Sequence, residues 1–522
     1  MSVQAEPVAR DPGLAFESPG GRWLLGVTVA GSGMAFLDGT VVNVALPDIG
    51  RDLGASTSAL QWILNGYLLT LASLILLGGS LGDRYGRRRV FVLGVGVFTL
   101  ASLLCAIAPS AELLIFARLL QGIGGALLTP GSLAIIEASF RPGDRARAIG
   151  AWSGLGGVAT AIGPLLGGYL IGAISWRAIF LINLPIGAFV AWAAIRHAPE
   201  SHDPLAAGGR LDLSGAVLAA LGLAGTTYAL IEAPEQGASA AILVTALGGI
   251  LALVAFFVAE RRSANPMLPL EIFRSRQFSA ANGVTFVVYA ALGGVFFLLV
   301  AFLQISLGYS PIAAGAASLP VTLLMLLFSA RAGALAQRIG ARTPLTLGPL
   351  IIAAGLLWMT RIEPGDSYVS AILPPILVFG AGLTLVVAPV TATVLAAADA
   401  RHSGIASGVN NAVARVAGLL AVAVLPIVAG LTGDSFYDPE AMTDGFQMAM
   451  GVCAALAALG GLLAWLTISP EVLHAEAEPG GDTPERLAED FSCGVGAPPL
   501  RPGREAECEP ASAAGGSLAT RR

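Results

Sequence analysis

Long apolar runs constrain this sequence more than any other feature. Stretches of about 18 or more mostly apolar residues recur along most of the chain, and a helix of about 20 such residues crosses a bilayer. Of the 522 residues, 55% are hydrophobic and only 12% are charged, against about 25% charged in a soluble protein. The sequence therefore predicts an all-α membrane protein and excludes a soluble globular domain.

Fourteen transmembrane spans are expected in a 6 + 2 + 6 arrangement. They lie at about 23–46, 60–80, 90–108, 112–136, 148–172, 178–195, 214–232, 241–259, 279–304, 312–332, 344–360, 369–395, 405–430 and 447–467. The predicted division is a tail over 1–20, a six-helix bundle over 21–196, a linker with two extra helices over 197–278, a second six-helix bundle over 279–468 and a disordered tail over 469–522.

The distribution of arginine predicts the orientation. Every basic residue is Arg, and seventeen Arg fall in the loops that share a side with the N-terminus, against three on the other side. Cytoplasmic loops carry an excess of positive charge. Both termini are therefore expected in the cytoplasm. The net charge of −5 arises in the acidic C-terminal tail and does not indicate a nucleic-acid partner.

A basic, glycine-punctuated stretch joins the second and third spans, and it has a degraded copy 254 residues later. We call residues 79–88 the signature stretch; its candidate gate residues are Gly79, Asp83, Arg84, Gly86, Arg87 and Arg88. The copy at 333–342 has Gln337 where the first has Asp83. Repetition at this separation indicates two related halves. The stretch is expected to act either as a latch between the halves or only as a positive-inside signal.

Two ionisable residues inside spans are the candidates for coupling. Asp38 lies well within the first span, and Arg118 lies within the fourth, with Gln121 on the same helix face. A carboxylate in hydrocarbon is costly unless it pairs or takes up a proton. Asp38 is thus expected to be a proton or substrate coupling site, or a polar residue that only holds helices together. Whether Arg118 is its partner stays open at this stage.

Further polar residues within spans are candidates for a substrate cavity, although each could equally form a hydrogen bond between helices. They are Asn43, Gln61, Asn65, Tyr67, Gln121, Tyr289, Gln304, Asn411 and Arg415. No spacing of Cys, His or acidic residues indicates a metal site, and the Gly-rich stretches lie inside apolar runs, so they are not phosphate loops. We therefore expect no metal, no cofactor and no enzymatic activity.

These motifs resemble the major facilitator superfamily. The signature stretch, Arg118-x-x-Gln121-Gly122-x-Gly124 and Gly163-Pro164-x-x-Gly167-Gly168 carry the likeness. Three further stretches resemble its fourteen-span drug–proton antiporter branch: residues 37–47, Gln61-Trp62, and Trp176-Arg177 through Asn183-x-Pro185. The resemblance implies a role for Asp38 and Arg118 in proton coupling. It also marks the glycine-proline helix, Gly163, Pro164, Gly167 and Gly168, as a pattern of exporters.

The resemblance implies a proton-coupled efflux pump of a bacterial plasma membrane. It would export amphipathic or cationic drugs and antibiotics by alternating access, as a monomer whose partners are the substrate, protons and the lipid bilayer. A dedicated exporter of one metabolite or antibiotic fits the same residues, and a uniporter or importer on the same fold is a further alternative. The sequence leaves the substrate, the proton stoichiometry and the role of the two extra helices undetermined.

Overall fold

Fourteen helices long and apolar enough to cross a membrane make up most of this computed structural model, as the sequence predicts. The structure describes residues 13–202, 211–237, 239–263, 265–398 and 403–473, and within these ranges it contains no β-strand. The helices are α1 Pro19–Leu53, α2 Thr57–Tyr85, α3 Arg87–Ala106, α4 Ala111–Ser139, α5 Pro142–Ala173, α6 Ala178–His197, α7 Leu213–Gln236, α8 Ala240–Arg262, α9 Arg276–Ile305, α10 Pro311–Ile339, α11 Arg342–Met359, α12 Tyr368–Ala396, α13 Gly404–Val428 and α14 Pro439–Thr467.

The helices pack as two blocks with a hairpin between them. In the first block, α1–α6, helix α4 lies against α2 and α3, and α5 lies against α1. In the second block, α9–α14, helix α14 lies against α9 and α11, and α12 lies against α10 and α11. The inserted hairpin, α7–α8, contacts α2 of the first block and α13 of the second through α7. The two extra helices therefore lie beside the interface between the two blocks, which we call the seam.

The helices extend beyond the apolar runs from which they are predicted. Helix α1 spans 35 residues, whereas the predicted span is about 24. Polar N-caps explain part of the difference, because Ser18, Ser56 and Ser110 each accept a hydrogen bond from a backbone N–H of the first turn. Hydropathy reports only the part within hydrocarbon, while the capped turns continue into the polar interface.

Prolines inside two helices leave backbone carbonyls free for neighbouring helices. Pro164 has no N–H to offer Thr160 O, and the Thr40 hydroxyl of α1 donates to that oxygen at 3.3 Å. Pro426 likewise leaves Val422 O free, and Gln61 Nε2 of α2 donates to it at 2.7 Å. In hydrocarbon such freed groups need a partner, so each proline fixes a helix pair.

Hydrogen bonds between the blocks cluster at one end of the molecule. We call the end where α2 meets α3 the loop end, and the opposite end the distal end. Near the distal end Thr57 Oγ1 donates to Gly433 O at 2.8 Å, and Tyr437 Oη donates to Ala55 O at 2.8 Å. Gln304 Nε2 also donates to Val44 O at 2.9 Å. Within the described residues, no hydrogen bond joins the two blocks at the loop end.

The terminal segments are described only in part. Residues 1–12 and 474–522, which include most of both predicted tails, lie outside the described ranges. The described part of the N-terminal segment starts at Gly13, and Leu14 N–H donates to Ser139 O at 2.8 Å beside the α4–α5 junction. After α14, the Ser469 N–H donates to Gln277 Oε1 at 2.8 Å, and a short 3-10 turn covers Pro470–Leu473.

Candidate functional site

Asp38 lies at the centre of a closed polar network inside the first block. Its side chain is completely buried. One carboxylate oxygen pairs with Arg118 Nη1, and the other accepts from Gln121 Nε2 at 2.8 Å and from Asn183 Nδ2 at 3.5 Å. Helices α1, α4 and α6 thus supply the acid and its donors. The structure answers the question that the sequence left open, because Arg118 is the partner of Asp38.

Arg118 is held in place by groups other than the carboxylate. Its Nε donates to Ile63 O of α2 at 3.0 Å, and its Nη1 also donates to Gln121 Oε1 at 2.7 Å. The Tyr67 ring lies 4.5 Å from the guanidinium carbon, which is a cation–π distance. Since only 1% of the Arg118 side chain is exposed, its charge depends on these partners for compensation.

The sequence did not indicate how the network is completed. Ser102 of α3 accepts from Gln121 Nε2 at 2.9 Å and from Asn183 Nδ2 at 3.2 Å, and it donates to Phe98 O at 2.8 Å. Asn183 belongs to the motif that runs from Trp176 to Pro185, but the motif alone does not indicate what Asn183 contacts. Ser102 carried no signal, because a lone Ser in an apolar run is common. Ser102 therefore holds the Gln121 and Asn183 amides that orient Asp38.

The arrangement links the protonation state of Asp38 to the stability of the buried Arg118 charge. In a low dielectric a buried pair is stable only while both charges are present, and removing one partner costs about 3–5 kcal/mol. A proton on Asp38 would leave the Arg118 charge with neutral acceptors only. Protonation would therefore favour an arrangement in which Arg118 reaches water or another anion. The charge of Asp38 and the environment of Arg118 are therefore linked within the first block.

The signature stretch is more helical than its glycines suggest. Helix α2 continues to Tyr85, and only Gly86, with φ 109°, breaks the chain before α3 begins. The equivalent glycine of the second copy, Gly340, has φ 86° and separates α10 from α11 in the same way. Positive φ values are tolerated by glycine and strain other residues. The internal repeat thus appears as two matching helix junctions.

Asp83, Arg87 and Arg88 of the signature stretch pair within the first block. Asp83 Oδ1 lies 2.8 Å from Arg87 Nη2. Arg88 N–H donates to Glu200 Oε1 at 3.1 Å, so a carboxylate from the segment after α6 caps the N-terminus of α3. Arg84 lies over the Tyr85 ring at 5.4 Å, and Gly79 faces Pro130 of α4 at ordinary contact distance. A latch across the blocks remains a prediction.

The glycine-proline helix α5 uses its glycines for close helix contacts. A Cβ on Gly163 would lie 2.1 Å from Thr40 Oγ1, and one on Gly167 would lie 2.3 Å from Val41 Cγ2, both on α1. A Cβ on Gly168 would lie 2.5 Å from Pro311 O of α10 in the second block. Small residues at these positions let helices approach closely in a membrane. One stripe of α5 therefore packs within its block and also closes the seam.

The remaining cavity candidates separate into three groups. Gln121 belongs to the Asp38 network, and Gln61 and Gln304 donate to backbone oxygens across the seam. Asn65 and Tyr67 are buried; Tyr67 donates to Ala35 O at 3.3 Å, whereas neither polar atom of the Asn65 amide has a partner among the described residues. The partly or fully exposed candidates are Asn43, Tyr289, Asn411 and Arg415.

Comparison with known proteins supports the same family. A sequence model described as Major Facilitator Superfamily matches residues 28–422. The chain is 37% identical over 394 residues to the multidrug resistance protein Stp of Mycobacterium tuberculosis, covering 75% of this chain and 73% of that protein. It is 36% identical over 426 residues to the tetracenomycin C resistance and export protein of Streptomyces glaucescens, covering 80% and 77%. A solved structure of the peptide transporter POT in complex with sulfate has the same fold, with a TM-score of 0.62, 18% identity, and coverage of 89% and 97%.

Proposed function

The chain belongs to the Major Facilitator Superfamily, and we propose that it is a proton-coupled secondary transporter that exports amphipathic drugs or antibiotics by alternating access. It is a multi-pass protein of the bacterial plasma membrane. The names of its relatives, which are antibiotic and multidrug resistance proteins, support export as the direction of transport.

The observation that carries the proposal is the buried network of Asp38, Arg118 and Gln121. An acid that is fully buried and paired with a fixed cation responds to protonation by losing its main partner. Because the network lies wholly within the first block, protonation changes how that block packs. We propose that this change biases the blocks between two arrangements, which is the requirement for coupling.

The seam suggests which arrangement the structure represents. The hydrogen bonds that join the blocks among the described residues lie near the distal end, and the arginine distribution favours a cytoplasmic loop end. We therefore interpret the structure as closed toward the outside and ready to take up substrate from the cytoplasm. Proton uptake by Asp38 from the outside would follow substrate release and precede the return to this arrangement.

One proton per cycle supplies enough free energy for useful efflux. Moving one elementary charge across the membrane potential is worth about 2.3 kcal/mol per 100 mV. At roughly 150 mV this amounts to about 3.5 kcal/mol, which sustains a gradient of between two and three decades.

The proposal is tested by Asp38→Asn in proteoliposomes that contain the full chain. The amide keeps the shape of the side chain, but it replaces one acceptor oxygen by an NH2 donor and cannot exchange a proton. We expect transport driven by a pH gradient to be lost while the variant still folds and inserts. Asp52→Asn is a matched control on the same helix, because Asp52 pairs with Arg177 near the distal end and away from the network. Undiminished proton-driven efflux by Asp38→Asn would refute the coupling role.

Two alternatives use the same fold. A dedicated exporter of one antibiotic or metabolite is separated from a multidrug pump by a susceptibility and accumulation panel of diverse compounds, with and without an uncoupler. A uniporter or importer would move substrate down its own gradient in vesicles, and an imposed pH gradient would not drive accumulation.

A further inference from the structure

Arg415 is a cation near the middle of α13, about three turns from either end of the helix. Its side chain is partly exposed, and among the described residues its guanidinium has neither an ion-pair partner nor a hydrogen-bond partner. A charge at this depth is costly and normally has a partner or faces a water-filled space. Arg415 therefore differs from Arg118, which has a carboxylate and two further acceptors.

The packing of α13 shows which way Arg415 faces. Against α9 the helix places Gly418, which meets Gly293, and Asn410, which accepts from Thr285 Oγ1 at 2.9 Å. Against α2 it places Gly408, which meets Leu76. At 100° per residue, Arg415 falls between these two faces. It therefore points into the space that lies between α9 of the second block and α2 of the first.

The surroundings of Arg415 resemble a binding site for an aromatic or amphipathic acid. Tyr289 of α9 and Tyr67 of α2 both lie within electrostatic range of the guanidinium. Asn411, one turn before Arg415 on the same face, is exposed and has a free amide oxygen once its nitrogen has donated to Ser407 O at 3.1 Å. The exposed Asn411 amide and the partly exposed Tyr289 ring near one unpaired guanidinium suit a ligand that is apolar at one end and anionic at the other.

The charge balance favours an anion over a cation. Asp38 and Arg118 neutralise each other, so Arg415 gives the centre of the bundle a net charge of +1. An organic cation would raise that charge to about +2 in a medium of low dielectric, whereas a monoanion would bring it to about zero. The buried pair also leaves the Asp38 carboxylate inaccessible to a substrate cation, since none of its surface is exposed.

We propose that the exported substrate carries an acidic group, such as a carboxylate, and that Arg415 binds this group. The inference rests on the proposed function and narrows its substrate class from amphipathic compounds in general to amphipathic acids. Arg415 is then the specificity-determining residue, and Tyr67 is the shared neighbour of the anion site and of the coupling pair.

The proposal predicts an electrical signature. Exporting a monoanion and importing a proton move charge in the same direction, so each cycle is strongly electrogenic. Exchange of one proton for a monovalent cation would be electroneutral and would respond to the pH gradient alone. Export of an acid should therefore accelerate when an interior-negative potential, referred to the loop-end side, is imposed at equal pH on both sides.

The test uses full-chain proteoliposomes and a panel of amphipathic carboxylic acids, each paired with its methyl ester and with an amine on the same ring system. We expect the native protein to export acids in preference to the matched esters and amines. Arg415→Gln should raise the KM for acids about ten- to a hundredfold, the effect of losing a hydrogen bond to a charged group, and should therefore reduce the preference for acids over the matched esters. Arg415→Lys should retain part of the preference for acids.

Arg331→Gln is the matched control, because Arg331 also lies within a span but its Nη1 donates to Leu327 O of its own helix. That variant should transport acids like the native protein. The inference is overturned if the native protein exports esters or amines but no acid, if it exports none of the probes, or if Arg415→Gln keeps the preference for acids. These results would not refute the proposed function, which Asp38→Asn tests separately. The coupling role is refuted only if proton-driven efflux persists in that variant.

Discussion

Replacing Gly168 by Ala should shift the protein away from the arrangement described here. The added Cβ would lie 2.5 Å from Pro311 O and 2.6 Å from Ile312 Cα, whereas ordinary contact begins at 3.4 Å. Both opposing atoms belong to the backbone, so no side-chain rotation relieves the clash. Helices α5 and α10 must separate by about 0.9 Å, and such overpacking costs about 1–3 kcal/mol.

That cost falls on one arrangement of the blocks only. The contact between Gly168 and Pro311 crosses the seam at the distal end, and alternating access requires this end to open in the other arrangement. A penalty of about 1–3 kcal/mol changes the ratio of the two populations about 5- to 150-fold. We therefore expect a marked increase in the distal-open population of Gly168→Ala.

Pulsed electron paramagnetic resonance measures this population directly. Spin labels at Ile107 and Val369, which are exposed residues near the distal end of the first and second blocks, would report the opening as a longer distance. The two tail cysteines, Cys493 and Cys508, are replaced first, while native Cys105 and Cys453 are buried.

Gly172→Ala on the same helix controls for the general effect of Ala on helix stability. Its added Cβ would meet nothing within 4 Å. This variant should keep the native distance distribution and gain up to about 1 kcal/mol of helix stability. If Gly168→Ala also keeps the native distribution, the assignment of this contact to a conformation-specific seam is wrong.

Two further predictions concern residues outside the coupling pair. Asn65→Leu should raise the melting temperature, because it removes a buried amide that has no partner, whose burial costs about 1–3 kcal/mol; a lower melting temperature would mean that the amide is satisfied by ordered water. Glu200→Ala should speed hydrogen exchange at the first amides of α3, since Arg88 N–H loses its acceptor, and Glu200→Gln should have a smaller effect. Unchanged exchange in both variants would show that this end of α3 is held by other contacts.

The sequence predicted the spans well because hydropathy acts along the chain. It could not predict which spans are neighbours. Asp38 and Arg118 were singled out separately, yet their pairing joins residues 80 positions apart and depends on how α1 packs against α4. Gln121 was a candidate for the substrate cavity or for a hydrogen bond between helices, and it forms such a bond with Asp38 because it lies on the same face of α4 as Arg118.

The sequence predicted the end of α2 too early and gave no indication of the role of Ser102. The second span was expected to end at about residue 80, but α2 continues through Gly79 to Tyr85, and within the signature stretch only Gly86 adopts a conformation that requires glycine. Ser102 was missed because its role comes entirely from the two amides that reach it from α4 and α6. Such roles arise in tertiary structure and leave no periodic signal.

The seam between the blocks has a consequence for how such a protein can diverge. In each hydrogen bond that joins the blocks among the described residues, a side chain of one block donates to a backbone oxygen of the other, as Gln61 does to Val422 and Tyr437 does to Ala55. Every residue type supplies a carbonyl, so mutation of an acceptor position need not remove the bond. Residues that face the substrate can therefore change in type during evolution, while the hydrogen bonds that close the distal end are retained.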